Sequence, residues 1–140
     1  MTSIRQAVRQ DVPGIQRVRH AVRENVLTSR AIGDDEVVEY LERHGRGWVV
    51  VDEGDAVVAF AIGDARDGNI WALFVDPAHE GRGHGRRLHD EMVVWLWSRG
   101  LARLWLTTMP RTRAQRFYER AGWVDKGLQP SGELLFELER

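Results

Sequence analysis

Three glycines at alternate positions, Gly81, Gly83 and Gly85, are interleaved with Arg82 and His84 and followed by Arg86 and Arg87. They stand behind an apolar run, Leu73-Phe74-Val75, and a turn, Asp76-Pro77, and ahead of a long amphipathic stretch. Glycine lets backbone N–H groups turn toward a ligand with no side chain in the way. A helix start adds N–H donors that lack intrahelical acceptors, together with a partial positive charge. With arginine charges beside them, these parts make an anion cradle suited to a pyrophosphate. Two familiar nucleotide motifs do not fit. A P-loop needs Gly-Lys-Ser/Thr after its glycines, and none is there. The dinucleotide fingerprint spaces its glycines G-x-G-x-x-G, whereas the spacing here is G-x-G-x-G after a hairpin region.

A second chemical segment lies about 30 residues on: Ala114-Gln115-Arg116-Phe117-Tyr118-Glu119-Arg120-Ala121-Gly122-Trp123. The stretch from Val75 to Leu88 resembles the acyl-coenzyme A signature of the GNAT superfamily of N-acetyltransferases: strand, V-x-P, Gln/Arg-x-x-Gly-x-Gly/Ala, helix. The second segment is similar to that family's late motif, A-x-x-F-Y-x-x-x-G-F. Element order matches from Ile4 to Leu138, nearly the whole chain.

The resemblance implies transfer of an acetyl group from acetyl-coenzyme A to the amine of a small molecule or peptide in a ternary complex. It implies that Leu73, Phe74 and Val75 bond the pantetheine arm along a splayed strand. It places the pyrophosphate on the loop Glu80, Gly81, Arg82, Gly83, His84, Gly85, Arg86 and Arg87, with Arg111 and Phe117 beside the cofactor. It makes Tyr118 the acid that protonates the leaving thiolate. A phenol is a weak acid of ordinary pKa about 10, not far from a thiol. Phe117 and Tyr118 also belong to an apolar helical stripe, which is compatible with a ring in the core and a hydroxyl in a cleft.

Three positions depart from the family pattern. Glu80 stands where Gln or Arg is usual, so its carboxylate is expected to point away or to pair with Arg82 or Arg86. Arg111 stands where many members have Asn. Trp71 occupies a strand position that often carries a Glu base, and Asp64 and Asp67 in the preceding turn are the nearest acids. The expected base is therefore a bound water, or the amine arrives partly deprotonated. On the acceptor side, Glu24 and Asn25 are expected to hold and orient an ammonium group, with Asp64 nearby and Trp71 and Trp48 lining the pocket. His84 and His89 read either as solvent-exposed histidines, the commoner case, or as phosphate contacts.

These residues need a scaffold of alternating strands and helices. Residues 3–8 alternate as a strand. Asp11 before Val12-Pro13 reads as the N-cap of a helix running to about residue 24, with Ile15, Val18 and Val22 on one face. A second helix opens at Gly33 and ends near Gly45, with Val37, Val38 and Leu41 as its stripe. Strands at 48–52 and 56–62 flank a hairpin turn, Asp52-Glu53-Gly54-Asp55. A strand at 69–75 leads into the glycine loop. A helix over 83–99 buries Leu88, Met92, Trp95 and Leu96, and Gly100 stops it. A strand at 103–108, a helix at 112–121 and strands at 123–126 and 134–138 complete the chain. The fold class is α/β: a mixed, largely antiparallel central sheet of about seven strands flanked by about four helices, with at least one parallel pair.

Composition bounds the rest. The chain has 140 residues, consistent with one domain over residues 1–140. Lys+Arg 20 against Asp+Glu 21 leave a formal net charge of −1, which gives no bulk basicity for nucleic acid. Lys126 is the only lysine, so the positive charge is nearly all arginine, which stays charged and binds phosphate in a planar fork. There is no cysteine, hence no disulfide, thiolate metal site or acyl-cysteine route. No metal site, membrane span or secretory signal is expected, and the expected location is the cytoplasm. A homodimer is one assembly to test. The alternative function is a non-catalytic acyl-coenzyme A sensor or interaction module on the same fold.

Overall fold

The structure is a computed structural model and describes residues 2–22 and 31–140. Strand β1 (Ser3–Gln6) leads through a short 3-10 turn into helix α1 (Val12–Ala21). Helix α2 (Asp34–Glu39) runs on as a π-helical turn, Tyr40–His44. Three strands follow: β2 (Gly45–Val51), β3 (Val57–Asp64) and β4 (Ile70–Val75). Helix α3 (His84–Ser98), strand β5 (Arg103–Thr108), helix α4 (Arg113–Arg120) and strands β6 (Val124–Leu128) and β7 (Leu134–Glu139) complete it. The fold class is as expected, with seven strands and four α-helices among the described residues.

The strands form two antiparallel sheets, of order β1-β2-β3-β4 and β5-β7-β6. The expected parallel pair reduces to one bridge between Asn69 and Trp105. There the Trp105 N–H donates to the Gly68 carbonyl at 3.0 Å and the Asn69 side-chain amide to the Trp105 carbonyl at 3.3 Å. Gly68 permits this contact. At φ +83° it is left-handed, and a Cβ would lie 2.6 Å from the Arg103 carbonyl oxygen. Past the bridge, β4 and β5 separate.

Strand β3 is buried along its whole length because both faces of the sheet are covered, which explains its unbroken apolar run. On one face Ile15, Val18, Val37 and Leu41 from α1 and the α2 region pack against Val49, Phe60 and Ile62. On the other, Leu88, Met92 and Leu96 of α3 share a core with Val50, Ala61, Leu104, Phe136, Tyr118 and Trp123. Each buried aliphatic side chain contributes about 1.5–3 kcal/mol to holding these layers together.

One cap differs from expectation. Asp11 does not cap α1. Its carboxylate accepts the Val8 N–H at 2.8 Å and two Arg5 N–H groups at 2.8 Å each, tying β1 to the turn before the helix. The Asp11 backbone is already helical, so the side chain turns back to the preceding donors. Among the described residues no helix is long and apolar enough to cross a membrane.

Candidate functional site

Asp76 opens the loop by accepting the Ala78 N–H at 2.9 Å, which fixes the turn Pro77–His79. Gly81 and Gly83 follow at φ +77° and +82°, the left-handed region that side chains disfavour. Gly83 is the N-cap of α3, and the first intrahelical bond runs from the Arg87 N–H to its carbonyl at 3.1 Å. Residues 84–86 therefore present N–H groups without intrahelical acceptors. Beside them Arg82 contacts His79 Nδ1 at 3.4 Å, and Arg86 is paired with Asp90 at 3.0 Å. His84 is 4% exposed, and among the described residues neither of its ring nitrogens has a partner. Burial, then the charges of Arg87, His79 and Arg82, hold its pKa below the ordinary histidine value. Left-handed glycines, first-turn donors, three arginines and an orphaned buried imidazole fit an anionic ligand.

Glu80 pairs with neither Arg82 nor Arg86. Its carboxylate accepts from Arg113, the first residue of α4, so the acid in the loop is neutralised from the other motif. The two motifs also meet in the core. A Cβ on Gly85 would sit 3.5 Å from the Phe117 ring and 3.6 Å from Val75 Cγ2, so loop, strand and late helix converge there.

Strand β4 offers its free edge at the same place. The Asp76 N–H donates to the Val58 carbonyl, toward β3. Alternation along an antiparallel strand then turns the N–H and C=O groups of Leu73 and Val75 to the opposite edge. Beyond the Asn69 bridge no strand pairs with that edge among the described residues. A β-bulge lies just before: Ile62 pairs with Ala72 and Gly63 with Ile70, leaving Trp71 as the extra residue.

Tyr118 is 7% exposed in α4. Burial pushes its phenol well above the ordinary value, so it is fully protonated at neutral pH. Among the described residues its hydroxyl has no hydrogen-bond partner, yet it is not one of the sealed, unpartnered polar atoms. Arg111, just before this helix, is left-handed at φ +64°, and its N–H donates to Gln115 Oε1 at 2.6 Å.

His89, the other candidate phosphate contact, has both ring nitrogens engaged inside the protein. It is 3% exposed, and its Nε2 accepts the Trp123 indole N–H at 2.9 Å while Nδ1 lies 2.9 Å from Asp90. Sequence reading missed Arg113, Asp90 and Trp123 as partners. Each lies within or beside a motif, but the pairings of Arg113 and Trp123 span 33 and 34 residues.

On the acceptor side the bulge aims Trp71 toward α1 and α2. Its ring stacks on Tyr40 with centroids 3.7 Å apart. The Arg19 guanidinium lies 5.3 Å from the Trp71 ring, and that of Arg66 5.8 Å from the Tyr40 ring. Asp64 is 4% exposed and held by a two-pronged Arg66 contact. Burial alone raises its pKa, but the Arg66 side chain, the Arg66 N–H and His44 bring it below the ordinary carboxylate range. Asp64, expected near the acceptor amine, thus already has both carboxylate oxygens engaged by Arg66. Asp67 accepts the Asn69 N–H at 3.1 Å as a turn residue. Trp48 is buried against Trp95 in the other core and does not line this side. Glu24 and Asn25 lie outside the described residues.

The acetyltransferase (GNAT) family matches residues 15–123 of the chain. Over 82 residues the chain is 37% identical to a mycothiol acetyltransferase of Beutenbergia cavernae, a match covering 55% of this chain and 28% of that protein. Over 74 residues it is 32% identical to a [ribosomal protein bS18]-alanine N-acetyltransferase of Haemophilus ducreyi, covering 51% of each. The matches thus span about a quarter and about half of those relatives' lengths. Among solved structures, the PaiA N-acetyltransferase of Thermoplasma acidophilum in complex with coenzyme A superposes with a TM-score of 0.86 at 12% identity, covering 100% of this chain and 99% of that one. The ribosomal-protein-S18-alanine N-acetyltransferase of Escherichia coli gives 0.79 at 19% identity, covering 99% and 94%. These two share the fold.

Proposed function

The chain belongs to the GNAT family of acetyltransferases, and from that premise we propose that it is an N-acetyltransferase whose single domain spans residues 1–140. The proposed reaction moves an acetyl group from acetyl-coenzyme A directly to an amine of a small molecule or peptide, in a ternary complex. Bound acetyl-coenzyme A supplies the activated thioester carbonyl and a thiolate leaving group. The chain does the rest. The first-turn N–H groups of α3, with Gly81 and Gly83 out of the way and Arg82 and Arg87 beside them, hold the pyrophosphate. The open edge of Leu73 and Val75 aligns the pantetheine arm by backbone bonds. Tyr118 donates a proton to the departing sulfur.

The observation that carries this reading is the meeting of Val75, Gly85 and Phe117, which brings strand edge, anion cradle and tyrosine helix to one point. Position 71 is a stacked tryptophan, so deprotonation of the incoming amine falls to water or precedes binding. The two relatives are named for mycothiol and for a ribosomal-protein alanine, so the acceptor panel spans small-molecule amines, aminoglycosides and alanine peptides.

The test is free-thiol release by the purified protein across that panel, after coenzyme A binding is shown by calorimetry. Turnover with at least one amine is expected. Tyr118→Phe is expected to lower kcat about a hundredfold or more while leaving cofactor affinity nearly unchanged, the usual weight of a general acid. Binding without turnover on any acceptor would instead support a non-catalytic acyl-coenzyme A sensor.

A further inference from the structure

We propose that His89 is a positioning residue for Tyr118, acting through the Trp123 indole; this rests on the reading of Tyr118 as the acid. An indole N–H only donates, so the bond at 2.9 Å makes His89 Nε2 the acceptor. The imidazole proton then sits on Nδ1 and is donated to Asp90 Oδ1 at 2.9 Å. Asp90 also accepts from Arg86 Nε at 3.0 Å, in the first turn of the phosphate-binding helix. One hydrogen-bonded line thus runs Arg86, Asp90, His89, Trp123.

Trp123 ends that line on Tyr118. Its main-chain N–H donates to the Tyr118 carbonyl at 3.0 Å, and the two rings meet edge to face with centroids 5.5 Å apart. The imidazole also meets the Phe117 ring edge to face at 5.8 Å and lies 6.4 Å from the Tyr118 ring. The Tyr118 hydroxyl has no hydrogen bond of its own among the described residues. Its place is therefore set by the walls around its ring, and Trp123 is one of those walls. A buried apolar pair would fill the same space without placing polar atoms in the core. What the histidine–indole bond adds is a fixed orientation of that wall.

The experiment is steady-state kinetics of the full chain with acetyl-coenzyme A and the fastest amine of the panel. It compares His89→Phe, His89→Gln, Trp123→Phe, Tyr118→Phe and the His89→Phe/Tyr118→Phe double variant. Misplacing a reacting group costs rate steeply, so His89→Phe and Trp123→Phe are each expected to lower kcat about tenfold or more. The KM for acetyl-coenzyme A should stay within about twofold, since binding groups are untouched. Gln carries an amide oxygen near the Nε2 position and should restore most of the loss. In the Tyr118→Phe background, His89→Phe should cost nothing further. The bond itself is read from the Trp123 indole N–H resonance, identified by its loss in Trp123→Phe and expected to move in His89→Phe. Trp123→Phe keeps an aromatic ring in the core and serves if His89→Phe does not fold. Unimpaired turnover in the His89 and Trp123 variants, or an equal further loss on top of Tyr118→Phe, overturns this proposal alone. Unimpaired turnover in Tyr118→Phe overturns the acid reading and this proposal with it.

Discussion

Arg111 carries a cost that a different residue would reduce. Its φ of +64° is disfavoured for a side chain with a Cβ, and asparagine tolerates it better. Gln115 holds the turn through the Arg111 N–H, so the backbone geometry does not depend on the arginine side chain. Arg111→Asn is expected to stabilise the fold by a few tenths to about 1 kcal/mol, read as a higher urea midpoint with unchanged slope. Glu80 shows a residue whose sense lies elsewhere in the chain. A carboxylate in an anion cradle is unfavourable alone, and Arg113 removes the difficulty from 33 residues away. The residue types of both motifs were legible in the sequence because each motif is local. The partner of Glu80 was not, because nothing local distinguishes Arg113 from the loop's own arginines. The partners of His89 were hidden for the same reason: a histidine one turn into a helix that follows a glycine loop reads as a phosphate contact until its buried neighbours are known.

Among the elements, β4 matters most. Its sequence announces a strand, a proline stop and a glycine loop, and all three are found where periodicity and turn residues put them. The bulge at Trp71 is not legible, since it arises from pairing with Gly63 on another strand. Nor is the division into two sheets. Strand–helix–strand order implies a parallel neighbour, but the actual contact ends after one bridge at Gly68, Asn69 and Trp105. That early parting leaves the Leu73 and Val75 edge open, so this part of the proposed site is a long-range feature. The helices are more readable. Leu88, Met92 and Leu96 of the expected α3 stripe are buried while Trp95 is half-buried, and α4 begins one residue later than expected, at Arg113, with Thr112 as its N-cap accepting the Gln115 N–H at 3.2 Å. The π turn at Tyr40–His44 is indistinguishable from plain helix in the sequence, because its apolar spacing is the same over so few residues.

At the scale of the molecule, a net charge of −1 conceals local pairing: Arg5 with Asp11, Arg9 with Glu42, Arg66 with Asp64, Arg86 with Asp90 and Arg113 with Glu80. These groups give stability a pH dependence of one sign. Burial pushes the pKa of His84 and His89 down in the folded state, so the unfolded chain takes up protons first as pH falls below about 6.5. For Asp11 burial acts upward, but Arg5 and the Val8 N–H outweigh it, and Asp64 is likewise held low by Arg66. Their contribution is present above about pH 4 and lost as pH falls through the folded values. Urea midpoints are expected to be level above about pH 6.5, to fall toward pH 5, and to fall again below about pH 4. In His89→Gln the first fall should be smaller, and an unchanged first fall would remove His89 as its source. The whole account stands on one cradle, and calorimetry of acetyl-coenzyme A binding to the wild type and to folded Gly83→Asp tests it most directly. A carboxylate at the N-cap of α3 faces the pyrophosphate with like charge, a juxtaposition costing several kcal/mol, so binding should weaken at least about a hundredfold. Equal affinity in the two proteins would place the cofactor elsewhere and contradict the account.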